Sequence, residues 1–379
     1  MPTIALDPAI DLPGSDQLRR QRAEAAGALG AATPPSAEDE IWRYSRIAEF
    51  DLSRWTPRLA APTLSGPTHL VSGDDVPDRP ASDPFVDHLN GAFMSPLVVR
   101  VPAGRAVAEP LVIEHHVADT GTAIFPRLVI EAGADSEITV IERFVGPDGV
   151  DALVCPVLDV VAAQAARVRY LGINELGRST WLLGHQRAEA QRDSSLLLAT
   201  VALGGDYARM RTDAAAVGQG ASVRQIALYF ADGTQMHDFR TIQRHDAPKS
   251  SSDLLFKGAV HDTARSVYTG LIRIGHDAGG TSAFQTNRNL TLSTGAWAES
   301  VPNLEIETND VRCSHASTVG PVDEEQRFYL ESRGIRPEVA ERLIVLGFFD
   351  DVLGQLPVTP ELATALRARV AAKLERTRS

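Results

Sequence analysis

The chain of 379 residues is short of cysteine, of basic charge and of long apolar runs. Its two cysteines, Cys155 and Cys313, are too few for a disulfide framework. They are also too few for a four-cysteine cluster or a structural zinc site within one chain. A reducing, cytoplasmic setting is the simplest reading. Lys and Arg number 37 against 49 Asp and Glu, a formal net charge of −12. That balance argues against nucleic acid or an anionic membrane as the main partner, since both need a basic face. No apolar run approaches the roughly 20 residues that span a bilayer. Residues 1–8, MPTIALDP, lack a basic region and an apolar region, so no signal peptide is expected. GxxxxGK[ST], GxSxG and HExxH are all missing, so the chain should not bind ATP through a P-loop. No carboxylate cluster of the kind a polysaccharide lyase needs stands out.

What is present falls into four stretches. Residues 1–60 read as helical: Ser15 can cap a helix from Asp16 to about Leu29, and Ser36 with Asp39 resembles a capping box leading into EIWRYS at 40–45. Trp42 and Tyr44 there bring enough apolar area to anchor this segment on the rest of the molecule. Residues 61–96, rich in Pro, Ser, Gly and Asp, read as linker. Residues 97–320 read as β: short apolar, β-branched runs divided by Gly and Pro. Aligning Ser136, Ala166, Ser195, Ser222 and Ser252 gives steps of 30, 29, 27 and 30 residues, with a half-step of about 15. Such a period marks a repeat architecture with two strand–turn units per turn. A stacked β solenoid explains it, because no single turn can bury its own face; a large β sandwich is the runner-up. The strict hexapeptide of the left-handed helix is absent, which favours a right-handed or paired-strand solenoid. Residues 321–379 read as helical again, with acidic Asp323, Glu324 and Glu325 at one start. Pro337 and Pro360 stand at two more.

The junction is Pro302–Gly320, PNLEIETNDVRCSHASTVG. On a strand, Cys313 and His315 project from one face, and thiolate with imidazole suits zinc, copper or iron–sulfur species. Two ligands are half a site, so metal chemistry would need a partner chain. The other histidines are His69, His88, His115, His116, His185, His237, His245, His261 and His276; which of them stacked turns bring together is open. Cys155 reads as core. DGTQMHDF at 232–239 reads as a solenoid corner. Arg240, Arg244, His245 and Lys257 could form a basic strip, though a solvated face accounts for them as well.

Several segments between Asp232 and Leu353 resemble the SufB/SufD family of iron–sulfur cluster assembly proteins, and within it the SufD branch. They are MHDFRT (236–241), DLLFKGAV (253–260), YTGLIRI (268–274), QTNRNLTLS (285–293), PNLEI (302–306), DVRCSH (310–315), TVGPVDEE (318–325) and FYLESRGI (328–335). EIWRYS resembles the family's acidic-Trp-basic-Tyr motif; residues 57–110 match weakly. The resemblance implies a right-handed parallel β-helix between N- and C-terminal helical domains. It implies pairing with SufB through the β-helix edges and docking of the SufC ATPase on the C-terminal helices. ATP hydrolysis would then sit on the partner, and this chain would be a non-catalytic scaffold. A transient cluster shared with SufB would form at the interface, His315 contributing with Cys313 beside it. SufB-like chains carry a GluHisGlu-type sequence there and are usually longer. Ala316–Ser317 replaces the family's usual GlyAla, which matters only if position 316 needs positive φ. Expected contacts for the ATPase are Arg333, Gly334, Ile335, Leu346, Phe348 and Phe349. A β-solenoid carbohydrate-active enzyme is the rival reading, and a self-associating homodimer a third. Whether a flavin accompanies iron delivery in the complex stays open.

Overall fold

A computed structural model describes residues 12–73 and 76–376. The expectation for residues 1–8 lies outside them, as do the last three residues. The chain winds as a β-solenoid of about eight turns, each turn giving one strand to each of two sheets. One sheet has twelve strands and the other nine. Within the stacked turns all neighbours pair in parallel, from Ser95–Val101 to Val311–Gly320. Two strands per turn account for the half-step of the repeat.

The corners explain why the turns stack. Asp135, Ala165, Asp193, Gly220, Lys249 and Gly280 all adopt positive φ, at steps of 30, 28, 27, 29 and 31 residues. Four of these six are not glycine, and that conformation costs each about 1–2 kcal/mol. A ladder offsets the cost: the N–H of Asp135 donates to Gln164 one turn on, Ala165 to Arg192, Asp193 to Gln219 and Lys249 to Gly279, each at 2.9 Å. The next residue in each corner is small and buried: Ser136, Ala166, Ser194, Ala221, Ser250 and Thr281. The alignment drawn from sequence follows this column through Ala166. It then slips by one residue at Ser195 and Ser222 and by two at Ser252. A second small residue stands close to each, Ser194, Ala221 and Ser250, so composition alone cannot choose between the registers.

The lumen is aliphatic in the first turns, lined by residues such as Val99, Ile113, Leu128, Ile138 and Val168. A polar group of His115, Glu142 and Tyr170 interrupts it, and further polar and aromatic side chains line the later turns. Tyr229 fits only because Gly258 lacks a side chain; a Cβ there would lie 1.9 Å from the ring.

Helices cover the outer faces. Helix α1 (Asp16–Ala31) is capped by Ser15, which accepts from the Leu18 N–H at 3.2 Å. Residues 40–54 form three short 3-10 turns rather than a continuous α-helix, and Asp39 closes the turn before them by accepting from the Ser36 N–H. Within the stretch read as linker, Pro84–Phe93 forms helix α2, started by Asp83 and Pro84 and almost wholly buried. Its neighbours are proline- and serine-rich, which hid a ten-residue apolar helix. Together with Trp42, Phe50 and Trp55, α2 packs on the twelve-stranded sheet against Trp181, Leu183 and Tyr207. On the nine-stranded sheet lie α4 (Pro337–Leu353) and α5 (Pro360–Arg376), which bury Val345, Phe349, Leu366 and Val370 against Leu171, Val201 and Phe230. Helix α3 (Glu324–Ser332), capped by Asp323, buries no residue. No described helix is long and apolar enough to cross a membrane.

Candidate functional site

The two ends of the solenoid differ. At the first turn, Val71–Ser72 and Thr63–Ser65 pair antiparallel with the outermost strand of each sheet. At the last turn, Trp297–Ile306 and Val311–Gly320 end their sheets, and no described strand pairs beyond them. These are ten-residue strands with exposed Trp297, Ile306 and Val319. Cys313 and His315 stand on the second of them, and both face the lumen side, above Ala283 and Gln285. Cys313 packs at the edge of a small cluster with Ile272, Ile274, Ala283 and Leu304. Partial burial pushes its thiol up from the ordinary value. His315 is exposed. Ala316 and Ser317 lie within the strand and neither adopts positive φ, so the departure from GlyAla costs no backbone strain.

Among the described residues no three His, Cys, Asp or Glu side chains come together in a way that could hold a metal ion. The other histidines serve elsewhere. His115 meets Glu142 at 3.0 Å, inside the lumen. His237 bonds the Gly204 carbonyl at 3.1 Å; burial, the largest effect, and nearby Lys373 hold it down at about 3. His245 sits between Ser250 and Ser252. His185 bridges α2 and the sheet through Asp87 at 2.6 Å and Asp213 at 3.5 Å. Cys155 is buried core, its thiol pushed well up by burial. Asp232 and Gly233 form the expected corner, Gly233 with positive φ. Arg240, His245 and Lys257 are buried in three different settings, so the basic strip does not form. Arg240 instead donates to the Arg43 carbonyl at 2.5 Å, and Arg209 lies 3.7 Å over the Trp42 ring. These contacts explain EIWRYS: the motif is strapped across the sheet, and Tyr44, at φ 64°, reaches Trp297 on the last turn.

The expected ATPase contacts divide. Leu346 and Phe349, expected as contacts on the apolar face of α4, are buried against the sheet; helical spacing alone does not say which apolar stripe faces inward. Phe348 is half-buried beside Lys257, which donates to its carbonyl at 3.1 Å. Arg333 and Gly334 are exposed at the α3–α4 bend, with Ile335 half-buried between the helices. The apolar surface left open is Phe328 (72% exposed), Tyr329 (58%) and Leu343 (47%). A recess of about 420 Å³ runs beside it, lined by Glu325, Gln326, Tyr329, Leu330 and Ile344. In the sequence, Phe328 and Tyr329 look like ordinary core positions of a helix.

Residues 115–348 match the family model described as SUF system FeS cluster assembly, SufBD core domain. An iron-sulfur cluster assembly SufBD family protein of Mycobacterium tuberculosis is 33% identical over 91% of this chain and 90% of its own. The iron-sulfur cluster assembly protein SufD of Escherichia coli is 28% identical over 78% of this chain and 71% of its own. SufD of Bacillus subtilis is 30% identical over 71% and 61%. With the core-domain match spanning more than half of the residues, including the strand of Cys313 and His315, the chain belongs to the SufBD family of iron–sulfur cluster assembly proteins.

Proposed function

We propose that the chain is the SufD-type scaffold subunit of a cytoplasmic SufBCD assembly complex, and that it carries no catalytic activity of its own. The observation that supports this most is the asymmetry of the solenoid. One end is closed by antiparallel strands; the other presents two ten-residue edges, with the only surface thiol and a histidine on one of them. Long unprotected edges favour pairing with another chain, and a two-ligand half-site is completed only by ligands from that chain. A SufB-type solenoid pairs with these edges, and the nascent cluster is cargo shared across the boundary. His315 is the ligand or relay on this side and Cys313 the supporting thiol. Imidazole and thiolate are better ligands for iron than the surrounding amides and hydroxyls. The SufC ATPase docks on the exposed face of Phe328, Tyr329 and Leu343 with the Arg333–Ile335 bend. Family membership favours this reading over a carbohydrate-active enzyme.

The test is co-expression with SufB- and SufC-type partners. The three chains should purify together and form a cluster from ferrous iron and sulfide. His315→Ala should cut cluster yield at least tenfold while leaving the complex intact. A normal yield from that variant would refute the role of His315. A stable homodimer that rejects a SufB-type partner would refute the pairing.

A further inference from the structure

The motif QTNRNL at 285–290 alternates along its strand, so Gln285, Asn287 and Asn289 all face the lumen one turn below Cys313 and His315. Two of the three amides are tied together. Tyr229 donates its hydroxyl to Asn289 Oδ1 at 2.6 Å, Asn289 Nδ2 donates to Asn287 Oδ1 at 2.8 Å, and Asn287 Nδ2 donates to the Tyr229 hydroxyl at 3.0 Å. Gln285 is just as buried, at 2% exposed, yet its Nε2 has no hydrogen-bond partner. The amide rests against Gly270, where a Cβ would stand 2.5 Å from Nε2. An unpartnered buried amide costs about 1–3 kcal/mol and calls for a reason.

His315 supplies one. It is the register partner of Gln285 on the next strand, and both side chains lie on the lumen face. In-register parallel strands set the two residues about 4.8 Å apart. A histidine that binds or relays through one ring nitrogen depends on a hydrogen bond at the other to set its tautomer and ring orientation. Glutamine has three soft torsions, and turning its carboxamide toward the last strand gives up no hydrogen bond at Nε2.

We propose that Gln285 is the positioning residue for His315: its carboxamide turns toward the last strand, where the oxygen accepts the N–H of one imidazole nitrogen and Nε2 reaches the open end, which leaves the lone pair of the other ring nitrogen to incoming iron. This rests on the half-site reading above and deepens it.

The experiment uses the co-expressed complex, with ferrous iron and sulfide as probes, and ¹⁵N-histidine labelling to read the His315 tautomer at neutral pH. Gln285→Leu should slow cluster formation by about tenfold or more, as loss of an outer-shell partner does, and should mix the His315 tautomers. Gln285→Glu, which keeps the acceptor, should restore both; Gln285→Met serves as the second apolar variant should the leucine not fold. In a His315→Ala background, Gln285→Leu should add nothing further. An unchanged tautomer and rate in Gln285→Leu would overturn the assignment. So would an equal loss in the His315→Ala background, which would mark a purely structural amide. If His315→Ala itself builds clusters normally, the half-site reading falls; if only Gln285→Leu is silent, the half-site stands and this assignment alone fails.

Discussion

Replacing Asp87 by asparagine tests how the amino-terminal helices are held to the solenoid. Asp87 lies on α2, buried, with one oxygen 2.6 Å from His185 Nδ1 and the other 3.4 Å from Arg187. Its backbone-side partners are the N–H groups of Ser82 and Asp83. Burial, the largest single effect, raises its pKa, but His185, Arg187 and Arg127 together overcome that and hold it at about 2, from 3.8. A depressed carboxylate contributes stability that is complete above its unfolded pKa and is lost as pH falls through the folded value. A shift of this size is worth about 2 kcal/mol, lost between roughly pH 4 and pH 2. His185 has the opposite sign. Burial, its largest effect, lowers its pKa, but Asp213 and Asp87 raise it overall. Its contribution is therefore present below the unfolded value and disappears as pH rises through the folded one. Denaturant melts followed by tryptophan fluorescence report this region, because Trp42, Trp55 and Trp181 share its hydrophobic cluster. Asp87→Asn should lower stability at pH 7 by about 2 kcal/mol or more, since His185 and Arg187 lose a buried partner. The two proteins should converge near pH 2, and the alkaline loss from His185 should be complete at lower pH in the variant, because only its folded-state value falls. Parallel stability curves from pH 7 to pH 2 would refute the reasoning.

Phe349→Ala should destabilise the α4–α5 pair by about 3–5 kcal/mol, since the ring is fully buried against Phe230; hydrogen exchange of those helices reads it. Phe328→Ala, at 72% exposure, should change stability by less than about 0.5 kcal/mol yet reduce co-purification of the ATPase. Unchanged co-purification would remove α3 from the docking surface. Gly258→Ala places a Cβ 1.9 Å from the Tyr229 ring, which is packed on all sides in the lumen. A cost of about 3 kcal/mol is expected, seen as a lowered melting midpoint. Tyr229→Leu in the same chain should recover part of it.

How far the sequence could be read depended on whether its signals were local. Repeat period, corner residues and helix starts are local: Ser15 and Asp323 cap their helices through the side chains that make them recognisable. Register was harder, because neighbouring serines at 194–195 and 250–252 offer equivalent small residues. The strap of EIWRYS across the sheet depends on Arg209 and Arg240, some 160 to 200 positions away, so no window of sequence contains it. The inward stripe of α4 was ambiguous because Phe348 and Phe349 are adjacent and only the second turns inward. Cys313 and His315 were legible as a Cys-x-His pair on one face of a strand. That this strand ends its sheet is shown by the pairing pattern and not by composition.

The two helical layers are attached differently, and the difference bears on how ATP use could reach the cluster. Helices α4 and α5 are locked to the nine-stranded sheet by apolar burial and by two buried lysines. Lys373 donates to the Leu203 carbonyl at 2.6 Å and meets Asp232, while Lys257 meets Asp351 at 2.8 Å. Breaking such a lock costs several kcal/mol. Helix α3 has no buried residue, and Val311–Gly320 runs into it through only Pro321, Val322 and Asp323. That strand is bonded to one neighbour instead of two. On the proposed docking, a force applied to the exposed face of α3 reaches the strand that carries Cys313 and His315 through these three residues, of which Val322 is itself buried in the core that α4 and α5 form on the sheet.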